Sequence, residues 1–305
     1  MDTHRLYQLS LIDTMNVWKE ENASYFRLAE ATLRGVAKQA STVYSPQSYH
    51  FKSTRPKISW SEDSDSIRLL AAALKASPSQ HCAIVNAANS KWACGGVKHG
   101  ANAQEEALCR HTTLSARLDY DRTLPRRYPL NMHDLSTQAT KVLATAGVKF
   151  IVPIFDILRQ CPKETESFVD RCIVRDFMTK KNETHRFGIA GPDFTVISLA
   201  APNRAKLELD PKELLPKVHE AMTIRFRLMW LAAKEQGVRT LILPIPGCGS
   251  FARFPDRSDR DPEFIHSILQ ALVDSLPDSD PSMNVIIPNQ GELVKGLFPT
   301  DILAK

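Results

Sequence analysis

The residues whose types and spacing invite chemistry fall in one stretch: Asn86-Ala-Ala-Asn89-Ser-Lys-Trp-Ala-Cys-Gly95-Gly96-Val97-Lys-His99-Gly100-Ala-Asn-Ala-Gln104-Glu105-Glu106. Its adjacent carboxylates, Glu105 and Glu106, follow a glycine pair in what reads as a single loop. In a partly desolvated cleft two neighbouring acids do not both ionise readily, so one is expected to keep its proton and act as acid, then base. Such a pair suits departure of a group from a sugar's anomeric carbon. There, carboxylates stabilise oxocarbenium charge, protonate the leaving atom or activate water. The bland alternative is that the acids only complement the positive end of a helix. Together with the glycine loop, the chemical reading is preferred.

The elements that position these residues read as strand, glycine loop and helix. Cys82-Ala-Ile-Val-Asn86 is short and β-branched enough for a buried strand, and a helix is expected from Gln104 to about Leu118. Backbone N–H groups at such a helix start favour an anion such as pyrophosphate. Glycine lets a ligand approach the backbone where a Cβ would hold it away. A second loop of this kind, Pro244-Ile-Pro-Gly247-Cys248-Gly249-Ser250-Phe251, follows the strand Thr240-Leu-Ile-Leu243.

Elsewhere, residues 6–39 have helical spacing, and residues 41–66 read as a long connection or a short hairpin. Residues 67–75 form a helix, and 119–134 a loop. Strands are expected at 148–155, 194–200 and 284–287, with Pro153 pushing the first to an edge or an end. The clearest helix carries Leu215, Val218, Met222, Phe226, Met229 and Ala233 on one face and stops at Gly237. A last helix carries Phe264, Ile268, Leu272 and Leu276. Such alternation implies an α/β fold with a largely parallel sheet covered on both faces, and ligands of such sheets bind beyond the carboxyl ends of the strands. Two parts are expected: an N-terminal helical extension and connection (1–66) and a catalytic domain (67–305).

The formal net charge of +5 suits an anionic small ligand but lacks the concentrated basic signal of a nucleic-acid binder. No window is apolar enough to span a membrane, and the N-terminus lacks the apolar core of a secretory signal. The six cysteines show neither zinc-ligand spacing nor a disulfide framework, so a reducing cytoplasm and no metal or cofactor are expected. Delivery into another cell by a signal without a hydrophobic core would escape this test. Cys94 and Cys248 invite a nucleophile reading that no sequence-placed histidine supports. Lys98 and His99 read as solvated loop charges, and Arg110 and His111 as the outer surface of a helix.

The ordered set Asn86, Gly95-Gly96, Gln104-Glu105-Glu106, Ala201-Pro-Asn203 and Gly247-Cys-Gly249-Ser-Phe251 resembles the macrodomain family, within it the microbial type of poly(ADP-ribose) glycohydrolase. Ala29-Glu-Ala-Thr-Leu33 looks like that family's leading helix. The resemblance implies a macrodomain-like three-layer α/β/α sandwich with a mixed, largely parallel sheet, behind an N-terminal helical extension. It implies Glu106 as acid/base and Glu105 as the group fixing ribose hydroxyls. Asn86 and Asn89 would bind ribose, although asparagines at strand ends also cap turns. Gly95, Gly96, Val97 and Gln104 would complete the proximal subsite. Gly247, Cys248, Gly249 and Ser250 would line the diphosphate, with Phe251 against ribose or adenine or simply in the core.

This chain departs from the pattern where Cys94 replaces the first glycine of an expected triple, Ala93 a proline, and Lys98-His99 small residues. The altered loop leans the expectation toward release of single ADP-ribose units from protein, arginine-linked ones included. Cleavage of poly(ADP-ribose) and non-catalytic binding are the alternatives. The expected partners are ADP-ribose and ADP-ribosylated protein, with no direct nucleic acid and no membrane, and the expected state is a monomer.

Overall fold

The computed structural model describes residues 41–46, 56–99, 101, 103–122, 128–153, 187–277 and 283–299. The strands are β1 (Thr42–Tyr44), β2 (Lys57–Trp60), β3 (Cys82–Ala87), β4 (Val142–Pro153), β5 (Phe187–Leu199), β6 (Thr240–Ile242) and β7 (Asn284–Ile287). They form one sheet in the order β1-β4-β5-β3-β6-β7-β2. From β5 to β2 neighbouring strands run parallel, while β4 and β1 close the other side antiparallel. The helices are α1 (Ser66–Ala76), α2 (Gln104–His111), α3 (Leu114–Arg122), α4 (Pro211–Glu235), α5 (Pro262–Asp274) and α6 (Glu292–Leu297).

Alternation along β3 explains the three layers. Ala83 and Val85 face a core filled by Val218, Met222, Phe226 and Met229 of α4 and Phe264, Ile268 and Leu272 of α5. Cys82 and Ile84 face a second core with Leu70 and Leu74 of α1, Leu108 of α2 and Leu114 of α3. Both faces of the central strand are therefore dry, as its continuous apolar run requires. Capping fixes where helices start: Asp65 accepts from Ile67 and Arg68 N–H at α1, and Asp261 from Glu263 and Phe264 N–H at α5.

The structure departs from the sequence reading in several places. Residues 42–44 and 57–60 form neither a connection nor a hairpin: they are edge strands on opposite sides of the sheet, so this part of the expected extension is built into the α/β fold. The helices expected within residues 6–39 lie outside the described residues. The single helix expected from Gln104 is two helices. Thr112 adopts extended backbone, donates its hydroxyl to Leu108 O at 2.7 Å and accepts from Leu114 N at 3.2 Å, ending α2 and starting α3. The loop expected from residue 119 is helical as far as Arg122, within α3. Strand β4 begins at Val142, and Pro153 stands at its last position, where its missing N–H breaks no ladder.

Candidate active site

Strands β5, β3 and β6 are parallel neighbours, so the loops after them leave the same edge of the sheet. Further contacts stitch these loops together. Ala88 N–H donates to Leu199 O at 2.9 Å, and Arg204, after β5, pairs with Asp261, at the start of α5, at 2.9 Å. Gly247 has φ +92°, and a Cβ there would fall 2.6 Å from Ile268 Cδ1 and 2.9 Å from Ala201 Cβ. Glycine is required because only it combines that φ with so close an approach.

Above β3 the two acids point inward. Glu105 is 3 % exposed and Glu106 7 %. Glu105 Oε2 accepts the Asn89 N–H at 2.8 Å. Glu106 Oε1 accepts the Gly96 N–H at 2.9 Å, and its Oε2 accepts the Ala103 N–H at 3.2 Å. Ala103 has no side chain to cap α2, so Glu106 reaches back to do so. The acids therefore complement the helix start, as the bland reading expects, and face the glycine loop at once.

Burial pushes the Glu105 carboxyl up to about 8. The neighbouring Glu106 charge adds to this, against the Asn89 N–H, the Asn86 amide and the Cys94 N–H, which favour the carboxylate. At neutral pH Glu105 therefore holds a proton, so the acid with the raised value is Glu105, whereas the resemblance gives the acid/base role to Glu106.

The loop around Gly95 holds the acids rather than an anion. Gly95 N–H donates to Trp92 O, Gly96 N–H to Glu106 and Val97 N–H to Cys94 O, so all three donors have partners in the loop or on α2. Val97 packs its side chain in the core beneath. A Cβ on Gly95 would overlap Glu106 Oε1 and come within 2.9 Å of Glu105 Oε2. Cys94 sits at φ +66°, the left-handed region where the resemblance led one to expect glycine. Lys98 and His99 are exposed.

Gln104 is a clamp. Its amide accepts from Ala87 N at 2.9 Å and donates to Val85 O at 2.9 Å, pairing with the end of β3 as a neighbouring strand would. Asn86 is fully buried and donates to Ser198 Oγ at 3.1 Å and Glu105 Oε1 at 3.5 Å, while its Oδ1 has no hydrogen-bond partner. Asn89 caps a turn through Oδ1, which accepts from Lys91 and Trp92 N–H.

In the second loop Gly247 and Cys248 are buried, and burial pushes the Cys248 thiol up to about 12, far from a nucleophilic thiolate. Cys109, beneath Cys94, is likewise pushed up by burial. Gly249 and Ser250 are exposed and Phe251 is half-buried, so these three are the part of the loop open to a ligand.

Three arginines outside the expected site organise it. Arg110, expected on an outer surface, is buried and donates to Ala101 O at 2.6 Å, anchoring the loop before α2. Arg225 is fully buried and donates to Ala200 O, Asp134 O and Ser136 O and to Thr140 Oγ1. Arg260 donates to Cys248 O at 3.1 Å and Gln290 O at 3.2 Å, and the Gln290 amide pairs with both the N–H and the C=O of Ile245. Because a trans peptide points its C=O and N–H oppositely, fixing Cys248 O turns the Gly249 N–H away from Arg260. Only Arg110 had a local signal, its place one turn after Glu106; Arg225 and Arg260 act across the sequence.

The fold and site define a macrodomain-like α/β fold with a buried acid pair at the end of its central strand. Residues 13–148, which include both acids and the glycine loop, match the family model of the microbial-type PARG catalytic domain, a glycosidic-bond hydrolase domain. No curated protein sequence matches the chain. Among solved structures, the poly(ADP-ribose) glycohydrolase of Thermomonospora curvata is similar at 18 % identity, over 89 % of this chain and 87 % of that one, with a TM-score of 0.56. The same enzyme bound to the inhibitor ADP-HPD is similar at 19 % identity, over 89 % and 87 %, with a TM-score of 0.55. The Deinococcus radiodurans enzyme in complex with ADP-ribose is similar at 19 % identity, over 88 % and 95 %, with a TM-score of 0.54. At these identities the likeness is one of fold. The family match is confined to residues 13–148, the segment that bears the acids.

Proposed function

We propose that the protein hydrolyses the glycosidic bond at the proximal ribose of ADP-ribose and releases ADP-ribose from a mono-ADP-ribosylated polypeptide, arginine-linked substrates included. The observation that carries this is the buried Glu105–Glu106 pair, gripped by backbone N–H groups of the loop over β3. In this reading Glu106 serves the anomeric carbon. It takes a proton from the attacking water, and where the leaving atom is an oxygen it delivers one. A substrate guanidinium, already protonated, leaves as neutral guanidine without added acid, so activation of water becomes the main task. Glu105, neutral at pH 7, and the unpartnered Asn86 Oδ1 bind ribose hydroxyls. The exposed Gly249 and Ser250 receive the diphosphate, and Phe251 packs against the nucleoside.

Cleavage of ribose–ribose bonds in poly(ADP-ribose) is the second reading, and the family match over residues 13–148 favours it. The substitution of Cys94 in the glycine loop favours the first. Incubating the chain with arginine-linked mono-ADP-ribosylated protein and with poly(ADP-ribose), then repeating with Glu106→Gln, separates them. Release from one substrate and loss of about two to four orders of magnitude in the variant is expected for a group acting on the proton in flight. Tight ADP-ribose binding without release from either substrate would instead identify a binding module. Undiminished release by Glu106→Gln would remove the assignment of that residue.

A further inference from the structure

Among the described residues two large apolar side chains are exposed, Trp92 at 62 % and Met132 at 60 %, and both line the same cavity of about 510 Å³. Lys91, Tyr128 and Pro129 complete most of its wall. An indole and a thioether facing water across one groove mark a surface that another molecule covers.

The groove is tied to the acid pair through a single residue. Asn89 Oδ1 holds the Lys91 and Trp92 N–H groups at 2.9 and 3.0 Å, and the Asn89 N–H is itself held by Glu105 Oε2. The far wall is fixed where Leu130 N–H donates to Ser90 O at 2.7 Å and Asn131 Nδ2 to Ala200 O at 3.4 Å.

Strand order gives the groove its direction. The exposed Gly249–Ser250 turn follows β6, the acids lie over β3, and Ala200 follows β5 on the other side of β3. The groove thus lies across the acids from that turn. A ribose at the acids with its diphosphate on the β6 side directs its anomeric substituent toward the β5 side, into the groove.

We propose that the Trp92–Met132 groove is the acceptor subsite and receives an apolar side chain of the ADP-ribosylated polypeptide, next to the modified residue. This rests on the proposed function. Of the described residues lining the groove only Lys91 carries charge. A further nucleotide would bring a diphosphate into it, whereas apolar side chains of a polypeptide occupy part of it and cover both exposed faces. Lys91 at the rim suits an acidic neighbour on the acceptor.

The test uses the full chain carrying Glu106→Gln, titrated with three probes: free ADP-ribose, a mono-ADP-ribosylated peptide with leucine beside the modified residue, and the same peptide with glycine there. The leucine peptide is expected to bind about tenfold more tightly than the other two, as partial burial of one leucine side chain implies. Trp92→Ala and, separately, Met132→Ala should erase that preference and leave free ADP-ribose binding unchanged. Both residues are exposed, and thermal melting verifies the fold of each variant.

Equal affinity for the two peptides overturns the proposal. So does an equal loss of free ADP-ribose binding in Trp92→Ala, which would place the indole against the nucleotide itself. An ADP-ribose dimer that outcompetes both peptides, and loses its advantage in Trp92→Ala, would assign the groove to a second nucleotide. If the parent chain releases ADP-ribose from nothing while the leucine preference and its loss persist, the hydrolase reading fails and the acceptor groove stands.

Discussion

Gly96 donates its backbone N–H to Glu106 Oε1 at 2.9 Å, so the position of the acid is set by the loop it faces. One residue earlier, Gly95 at φ +49° leaves no room for a Cβ beside that same oxygen. Gly95→Ala is therefore expected to displace the Glu106 carboxylate and lower kcat by about two orders of magnitude, the penalty of a misplacement near 1 Å. Steady-state kinetics beside calorimetric titration of ADP-ribose checks this. A normal kcat would show that the carboxylate need not stay where the loop holds it.

Glu105 makes stability depend on pH in the less usual direction for a carboxyl. Its folded value, about 8, lies above the ordinary 4.5, so between these values the folded chain binds more protons than the unfolded one. Stability from this group is full below about pH 4.5 and declines as pH rises toward 8. Melting curves from pH 5 to 8.5 should show the parent losing stability relative to Glu105→Gln. Parallel curves would mean that Glu105 ionises freely in the fold.

Arg260 holds Cys248 O and Gln290 O from behind the second glycine loop. Arg260→Met should release the Cys248–Gly249 peptide and raise KM by about tenfold, the effect of losing charge-assisted hydrogen bonds, while kcat changes little. Arg260→Lys, keeping one cationic donor, should recover part of the loss. A fall in kcat at unchanged KM would argue that the loop acts on the acid pair and not on the diphosphate.

Arg225 is a buried cation whose hydrogen bonds run to carbonyl oxygens, one hydroxyl and the Met222 thioether, and burial brings its guanidinium down to about 10. Arg225→Met removes the guanidinium from those acceptors, of which Ala200 O keeps Asn131 Nδ2, and should destabilise the fold by about 3 kcal/mol. Denaturant titration gives the loss directly. A loss below about 1 kcal/mol would mean that water replaces the guanidinium, since a net hydrogen bond is worth about that much.

The sequence made the core strands and the acid-bearing loop legible because their signals are local. The apolar run into Asn86, the glycines and the Gln104-Glu105-Glu106 start of α2 can each be read within a few residues. So can α4, whose apolar face recurs with helical period and ends at Gly237. What could not be read depends on partners distant in sequence. Residues 42–44 and 57–60 become strands only because β4 and β7 present open edges to them. The break at Thr112 depends on one hydroxyl serving two helices, and nothing in helical spacing encodes it. By composition the glycine loop reads as an anion cradle. Its N–H groups turn to the loop and to Glu106, ten residues on from Gly96.

The placement of β1 and β2 has a consequence for the integrity of the whole sheet. A single segment, residues 42–60, supplies the outermost strand on both flanks. Bare flanks of a sheet are templates for pairing with other chains, and here one stretch of polypeptide blocks both. A fragment beginning at residue 61 would lose its two guards together, and size-exclusion chromatography should find it self-associated. If it stays monomeric, the ends of β4 and β7 are shielded by something else.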